Sequence, residues 1–585
     1  MKKVISLFLA LVLCLSVTAC GSKAAPESDT GKTDAGTTDT AKGEEQDKDT
    51  SGSGDELAID VALGYSEPHS MDPTLATGAD QFEILFHMSE GLMKFAAIED
   101  TVNGNDNQYS SEVVCGQAES YEFDEASLTY TFHLRDDIFW SDGEKVTADN
   151  FVYAWQRLVD PKTAASNGTL LNNIVKNATA ISEGTMEPSE LGIAAVDEKT
   201  LTVTLENSCS YFLDMCTHYG LYPLRQDVIE ANGDTWTEAE TFISNGAYVM
   251  TDWVHDSYIE LTKNEKYYDY ANLGPSKITF HLSDSETSNM AAYQSGEYNF
   301  VSGIPTDQIE SLIASGDAYS NPRLNVTYLY LNCETIPDWR VRAAITLAID
   351  KENLVTNVTQ DGSTAATGLI PNGVTNSENK VWTDAVGEVM YAWLQEKYPD
   401  YDLSTYSGRC ELAKVLYDEA VADGWDGSAT MEYKFNTSDT NKAVAEAVQS
   451  DLSGILEAKV TLGNIDSAGY TDTISKGGFH LARLGYGITF NDAIGYYQLF
   501  GTNGNFEYSG WSDANYDKLV EQASTMQNGP ERDKVLEEIE QIMYSENGFS
   551  VCPLYYASYV YCMKDLQNTF YSAISNLTYF GYATK

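Results

Sequence analysis

Residues 132–155 read FHLRDDIFWSDGEKVTADNFVYAW, with His133 and Arg135 close to Asp136, Asp137, Asp142, Glu144 and Asp149. A histidine and several carboxylates within so short a span could transfer protons or hold a metal ion. Their spacing favours neither. Tyr130, Phe132 and Leu134 alternate with Thr131, His133 and Arg135, the period of a half-buried strand, so His133 and Arg135 fall on its outer face. Ser141-Asp142-Gly143 reads as a turn. Thr147 is placed to cap a helix with Asp149 at the positive end of its dipole, and Phe151, Trp155 and Leu158 recur as the buried stripe. Each polar residue of the run has a structural role, so the run is scaffold.

The rest of the chain offers no better constellation. The seven histidines, at 69, 87, 133, 218, 255, 281 and 480, are isolated from one another, and no GxSxG, HExxH or GxxxxGK sequence occurs. Nothing calls for a metal or a cofactor. Paired carboxylates for glycoside hydrolysis stay open as a pattern, because 88 acidic residues supply every spacing. The net charge of −53 argues against nucleic acid and against docking on anionic lipid through a basic patch. It suits a solvated body and cationic ligand groups.

The N-terminus carries the most specific short signal. Lys2 and Lys3 precede an apolar run from Val4 to Leu15, too short for the roughly 20 residues of a membrane span, so residues 1–19 read as an export leader. The Val17-Thr18-Ala19-Cys20 that follows resembles a bacterial lipobox, which makes Cys20 the expected lipidation site. Residues 20–57 lack aromatics and are rich in Thr, Asp, Gly, Lys, Glu and Ser, a composition that cannot bury a core. They are expected to tether the body on the order of 35 Å from a membrane. Of nine cysteines, Cys14 leaves with the leader and Cys20 takes the lipid. The remaining seven contain no CxxC and are expected mostly as buried free thiols, with Cys209–Cys216 the alternative disulfide.

The segment YTFHLRDDIFWSDGEKVTADNFVYAWQRLVDPKTA closely resembles the signature region of the oligopeptide-binding proteins of ABC importers, the family 5 extracellular solute-binding proteins. The likeness continues in order through MDPTLATGADQFEILFHMSEGL at 71–92, NGAYVMTDWV at 245–254, KNEKYYDY at 263–270, YQSGEYNF at 293–300, DWRVRAAITLAIDKENLV at 338–355 and FHLARLGYGITFNDA at 479–493. Within the fifth of these, Val341, Ala344, Ile345 and Ala348 share one helical face behind Asp338.

The resemblance implies an α/β protein of the type II periplasmic-binding-protein kind, with mixed sheets flanked by helices, two lobes and an extra third domain. Domain I would comprise 58–91, 223–324 and 554–585, domain II 92–222 and domain III 325–553. An extended peptide would lie between the lobes and pair its backbone with two strand segments. Gly78-Ala79-Asp80-Gln81 and Gly485-Tyr486-Gly487 match those segments, and glycine would let a ligand backbone approach closely.

The family uses an aspartate to neutralise the peptide's α-amino group, and here Thr489 stands at that position. A hydroxyl cannot supply the charge, and losing such a bond costs about 1.5–3 kcal/mol. Asp492 and Asp80 are the candidate replacements. Arg483 and Arg340 are candidates for a ligand carboxylate, though either could instead be tied to acidic neighbours. Tyr555 and Tyr556 are candidate cleft residues with a flat face and a polar tip.

The expected protein is a non-enzymatic monomer anchored by lipid to the outer face of the bacterial membrane, passing oligopeptides to the membrane subunits of an ABC transporter. The Thr489 departure leaves a second reading: the same fold binding a chelated metal, haem or oligosaccharide, or sensing peptides. A secreted hydrolase is a third, for which no nucleophile constellation is left over.

Overall fold

The computed structural model describes residues 56–98, 108–387, 389–502, 504 and 507–585. The expected leader, Cys20 and all but the last two residues of the tether lie outside the described residues.

Two thirteen-residue strands, Tyr319–Leu331 and Val551–Met563, set the frame. Their tyrosines, valines and leucines suit a pleated surface covered on both faces. They pair antiparallel in the middle of an 11-stranded sheet. On one side the sheet continues through Leu481–Gly487, Thr430–Asn436 and Lys459–Ile465. On the other it runs through Phe300–Ser302, Ala58–Ala62, Lys277–His281, Tyr258–Lys263 and Tyr248–Val254, and the two-residue strand Thr364–Ala365, paired with Tyr555 and Tyr556 off this path, is the eleventh. The sheet is mixed: Ala58–Ala62 is parallel to Lys277–His281, and Thr430–Asn436 to Lys459–Ile465, while the long strands are antiparallel. Helices flank it, which gives the expected α/β class.

The ladder between the long strands is broken. Tyr319–Asn321 face Tyr559–Tyr561, and pairing resumes in a shifted register with Val326 opposite Tyr556. Pro322 lies at the break and has no N–H to give a ladder. Such a stagger bends and twists the strands it interrupts.

The segment 129–159 folds as its pattern dictates. Thr129–Leu134 lies between Ala118–Asp124 and Thr200–Thr204, with Phe132 and Leu134 buried. Arg135 grips Asp137 at 2.9 Å and lies 4.1 Å over the Tyr268 ring. In the helix Ala148–Val159, Asn150 Oδ1 accepts from the Thr147 N–H at 2.9 Å, and Trp155 Nε1–H donates to the Leu221 carbonyl at 2.9 Å. Asp338 caps the helix Trp339–Ala348 by accepting from the Arg340 N–H, and Val341 to Ala348 are buried.

The helix Ala79–Met88 is fastened to the C-terminal strand Leu577–Tyr579 by two side chains. Glu83 accepts the Thr578 N–H at 3.0 Å, and His87 Nε2 accepts the Phe580 N–H at 3.0 Å. His87 Nδ1 then donates to the Glu83 carbonyl at 2.7 Å, which fixes the neutral tautomer. Burial lowers the His87 pKa to about 4 and raises the Glu83 carboxyl well above its ordinary range. All seven described cysteines are free thiols, Cys209 and Cys216 included. Burial pushes the Cys209 thiol up to about 12, far from a reactive thiolate. No helix among the described residues is long and apolar enough to cross a membrane.

Candidate ligand-binding cleft

The strand Leu481–Gly487 carries the candidate site. It pairs along its whole length with Asn325–Leu331, whereas on the other edge only Leu481 and Ala482 meet Tyr433 and Lys434. Among the described residues, Arg483 to Gly487 therefore present one backbone edge that no strand covers. Such an edge is a template for an added extended segment.

Residues paired across a sheet share a face, and successive residues alternate. Thr327 pairs with Gly485 on one side and with Tyr555 on the other, so Arg483, Gly485, Thr327 and Tyr555 look the same way. Arg483 Nη1 donates to Asn436 Oδ1 at 3.2 Å, and Nη2 lies 3.5 Å from Thr327 Oγ1. Its Nε is buried without a partner, and none of the ion pairs among the described residues includes Arg483. Arg135, Arg157, Arg225, Arg340 and Arg532 hold carboxylates, whereas Arg323, Arg342 and Arg409, like Arg483, bond neutral oxygens, but away from this strand edge. Arg483 is thus a half-buried cation with only neutral oxygens beside it, placed next to an open strand edge.

Its surroundings include residues that sequence reasoning missed. Tyr433 is fully buried with an unpartnered hydroxyl, and the Arg483 charge opposes the upward push of burial on its phenol. The Tyr470 hydroxyl donates to the carbonyls of Lys434 and Arg483. Neither tyrosine belongs to a local motif. Only the pairing of Thr430–Asn436 with the site strand brings Tyr433 close.

The two glycines differ. A Cβ at Gly485 would make only ordinary contact, at 3.4 Å, with the Arg483 guanidinium, so the packing itself leaves room for a side chain there. At Gly487 a Cβ would meet Asn325 Nδ2 and the Leu324 carbonyl at 2.9 Å, so the neighbouring strand itself requires glycine. Tyr486 projects to the opposite face, where its ring meets Tyr496 edge-on at 6.2 Å.

Several expected site residues are placed otherwise. Gly78-Ala79-Asp80-Gln81 is not a strand segment: Gly78 is the N-cap and the other three begin the helix Ala79–Met88. Gln81 is buried, and its Oε1 accepts from the N–H groups of Thr77 and Gly78, each at 2.8 Å. The side chains of Ala79 and Asp80 lie outside the described residues. Asp492 does not stand free as a replacement charge: it pairs with Arg532 at 2.9 Å and accepts from the Ile494 N–H and the Ser210 hydroxyl. Arg340 is occupied by Asp338 and Asp423, each at 2.7 Å. Thr489 is exposed, two residues beyond the strand. Tyr555 is buried on the Arg483 face, while the Tyr556 hydroxyl is taken up by the backbone of Thr367 and Gly368.

The family model described as bacterial extracellular solute-binding proteins, family 5 Middle, matches residues 112–508. The chain is 30% identical over 507 residues to the probable deoxycholate-binding periplasmic protein YgiS of Escherichia coli, covering 86% of this chain and 88% of that protein. It is 29% identical over 500 residues to the periplasmic oligopeptide-binding protein OppA of Salmonella typhimurium, covering 84% and 86%. Among solved structures, the unliganded open form of the murein tripeptide-binding protein MppA superposes with a TM-score of 0.75 at 25% identity, over 89% of this chain and 95% of that one.

Proposed function

This chain belongs to the family 5 bacterial extracellular solute-binding proteins, and we propose that within that family it captures oligopeptides and delivers them to an ABC importer. The observation that carries this reading is the strand Leu481–Gly487, whose uncovered edge lies beside an Arg483 that holds no carboxylate. A peptide added to that edge would pair through its backbone whatever its side chains, and its terminal carboxylate would complete Arg483. Tyr555 and Thr327 would line the floor. Residues 58–324 with 554–585 would form one lobe and 325–553 the other, joined where the long strands break register at Pro322. Closure on a ligand that touches both lobes is a shift between two arrangements and needs no covalent step, so the protein is read as a binder and not an enzyme. Cys20 would anchor it outside the membrane.

Amide hydrogen exchange tests the central feature. Adding a tripeptide should protect the amides of residues 483–487, and exchange there unchanged at saturating peptide would contradict the reading.

A second reading has its own support. The relative at 30% identity is named for deoxycholate, an amphiphile with one carboxylate and no amine. Arg483 suits such a carboxylate, and neither Thr489 nor the Arg532-bound Asp492 offers a free charge to an amine. Under this reading deoxycholate competes with peptide and leaves the strand-edge amides exchanging freely.

A further inference from the structure

The residues that follow the site strand are held by a loop from a distant part of the sequence. Tyr211 stacks on Phe490 with ring centroids 3.8 Å apart and planes 9° apart. The Asn491 N–H donates to Asp214 Oδ2 at 3.0 Å, and the Ser210 hydroxyl donates to Asp492 Oδ2 at 2.7 Å. Three consecutive residues, 490 to 492, thus each make one contact with 210–214, a ring stack and two hydrogen bonds. Behind them Asp492 is locked to Arg532, and the Asn491 side chain exchanges hydrogen bonds with Thr375 at 2.9 and 3.1 Å. Only Ile488 and Thr489 separate this contact from Gly487, the last residue of the open-edged strand.

We propose that Tyr211 and Asp214 are positioning residues for ligand retention: with Ser210 they clasp residues 490–492 and so hold Thr489 and the end of the Leu481–Gly487 strand in the binding arrangement. This rests on the reading of that strand as the ligand edge. Because 210–214 and 490–492 belong to the two proposed lobes, the clasp bridges them and its opening is coupled to their separation. A ligand that pushes on the strand end acts on the clasp through two residues.

The clasp also carries a proton dependence. Asp214 is half-buried; desolvation raises its pKa from 3.8 to about 6 against the lowering pull of the Asn491 N–H, and the Asp492 charge adds a smaller rise. The groups facing it are Asp492 across the contact, with Arg532 paired to that carboxylate, and Cys209 and Cys216 on its own side, both held neutral by burial. When the clasp opens, Asp214 meets water and returns toward its ordinary value. The clasped form therefore binds the proton more tightly, and the clasp strengthens as pH falls through 6. Between pH 7.5 and pH 5 this linkage amounts to about tenfold in the closed-to-open ratio.

Hydrogen exchange at the Asn491 amide in the ligand-free mature chain reads clasp opening directly. The protection factor, corrected for intrinsic rate, should be about tenfold higher at pH 5 than at pH 7.5. In Asp214→Asn, which keeps an acceptor oxygen, the change should be under twofold. Tyr211→Leu should lower protection at both pH values and keep the tenfold ratio. The dissociation rate of trialanine should follow the same pattern, slower at pH 5 in the native chain and pH-independent in Asp214→Asn. A flat protection factor in the native chain, or an undiminished ratio in Asp214→Asn, overturns the clasp. The expected protection with a dissociation rate unmoved by Asp214→Asn overturns its role in retention. If trialanine does not bind, it is the peptide reading that fails, and the rate comparison is decided with deoxycholate.

Discussion

Replacing Arg483 by methionine separates a ligand contact from a fold support. Among the described residues the guanidinium holds only Asn436 Oδ1 at 3.2 Å and Thr327 Oγ1 at 3.5 Å, both neutral and both long. Their loss costs about 0.5–1.5 kcal/mol each at most, and methionine also removes a buried Nε that has no partner. Stability should move by about 1 kcal/mol. Against a ligand carboxylate the same cation is worth about 1.5–3 kcal/mol, a factor of about 10 to 150 in affinity. Titration calorimetry with a tripeptide acid and its C-terminal amide isolates this difference. The acid should lose that factor in Arg483→Met and recover part of it in Arg483→Lys, while the amide changes by less than about threefold. Equal losses for acid and amide would refute the carboxylate role. Destabilisation by more than about 3 kcal/mol would show that Arg483 supports the fold.

Arg532→Met should behave oppositely, because it strands the buried Asp492 carboxylate: we expect about 3–5 kcal/mol of destabilisation by urea unfolding, and a loss under about 1 kcal/mol would contradict the buried pair. Thr489→Asp should tighten peptides with a free amine by about tenfold or more and leave N-acetylated peptides unchanged, since position 489 is exposed beside the strand end. His218 is buried, accepts the Gly220 N–H at 3.1 Å, and has a pKa lowered from 6.5 to about 4. A histidine lowered in the folded state contributes stability that is present above about 6.5 and is lost as pH falls toward 4. Between pH 7.5 and 5 the native chain should therefore lose about 2 kcal/mol more than His218→Asn, and parallel losses would contradict the buried neutral imidazole.

Local order was legible wherever neighbours in sequence decide it. The strand and helix of 129–159 follow from alternation, a turn glycine and the Thr147 cap, and Asp338 announces the helix Trp339–Ala348. The same rules failed at Gly78-Ala79-Asp80-Gln81. There Gln81 turns back on the N–H groups of Thr77 and Gly78, a capping arrangement that starts a helix where a ligand strand was expected. The partner of Asp492 lies forty residues away in Arg532, and one partner of Arg340 lies 83 residues away in Asp423. No local spacing reports such pairs. Arg483 could be nominated from sequence, but its lack of a carboxylate partner could be read only after the acidic residues had been placed. Tyr433 and Tyr470 were invisible among 38 tyrosines until strand pairing set the first beside that cation and the helix Ser467–Ser475 brought the second to its backbone.

The most direct test of the account is the identity of what the native protein carries. Mass spectrometry of small molecules released by denaturing the purified, tagless mature chain should yield peptides of mixed sequence and narrow length, as backbone pairing along one strand edge requires. A steroid acid, a sugar or a chelate, with no peptide present, would contradict it and shift Arg483 to the service of a different ligand.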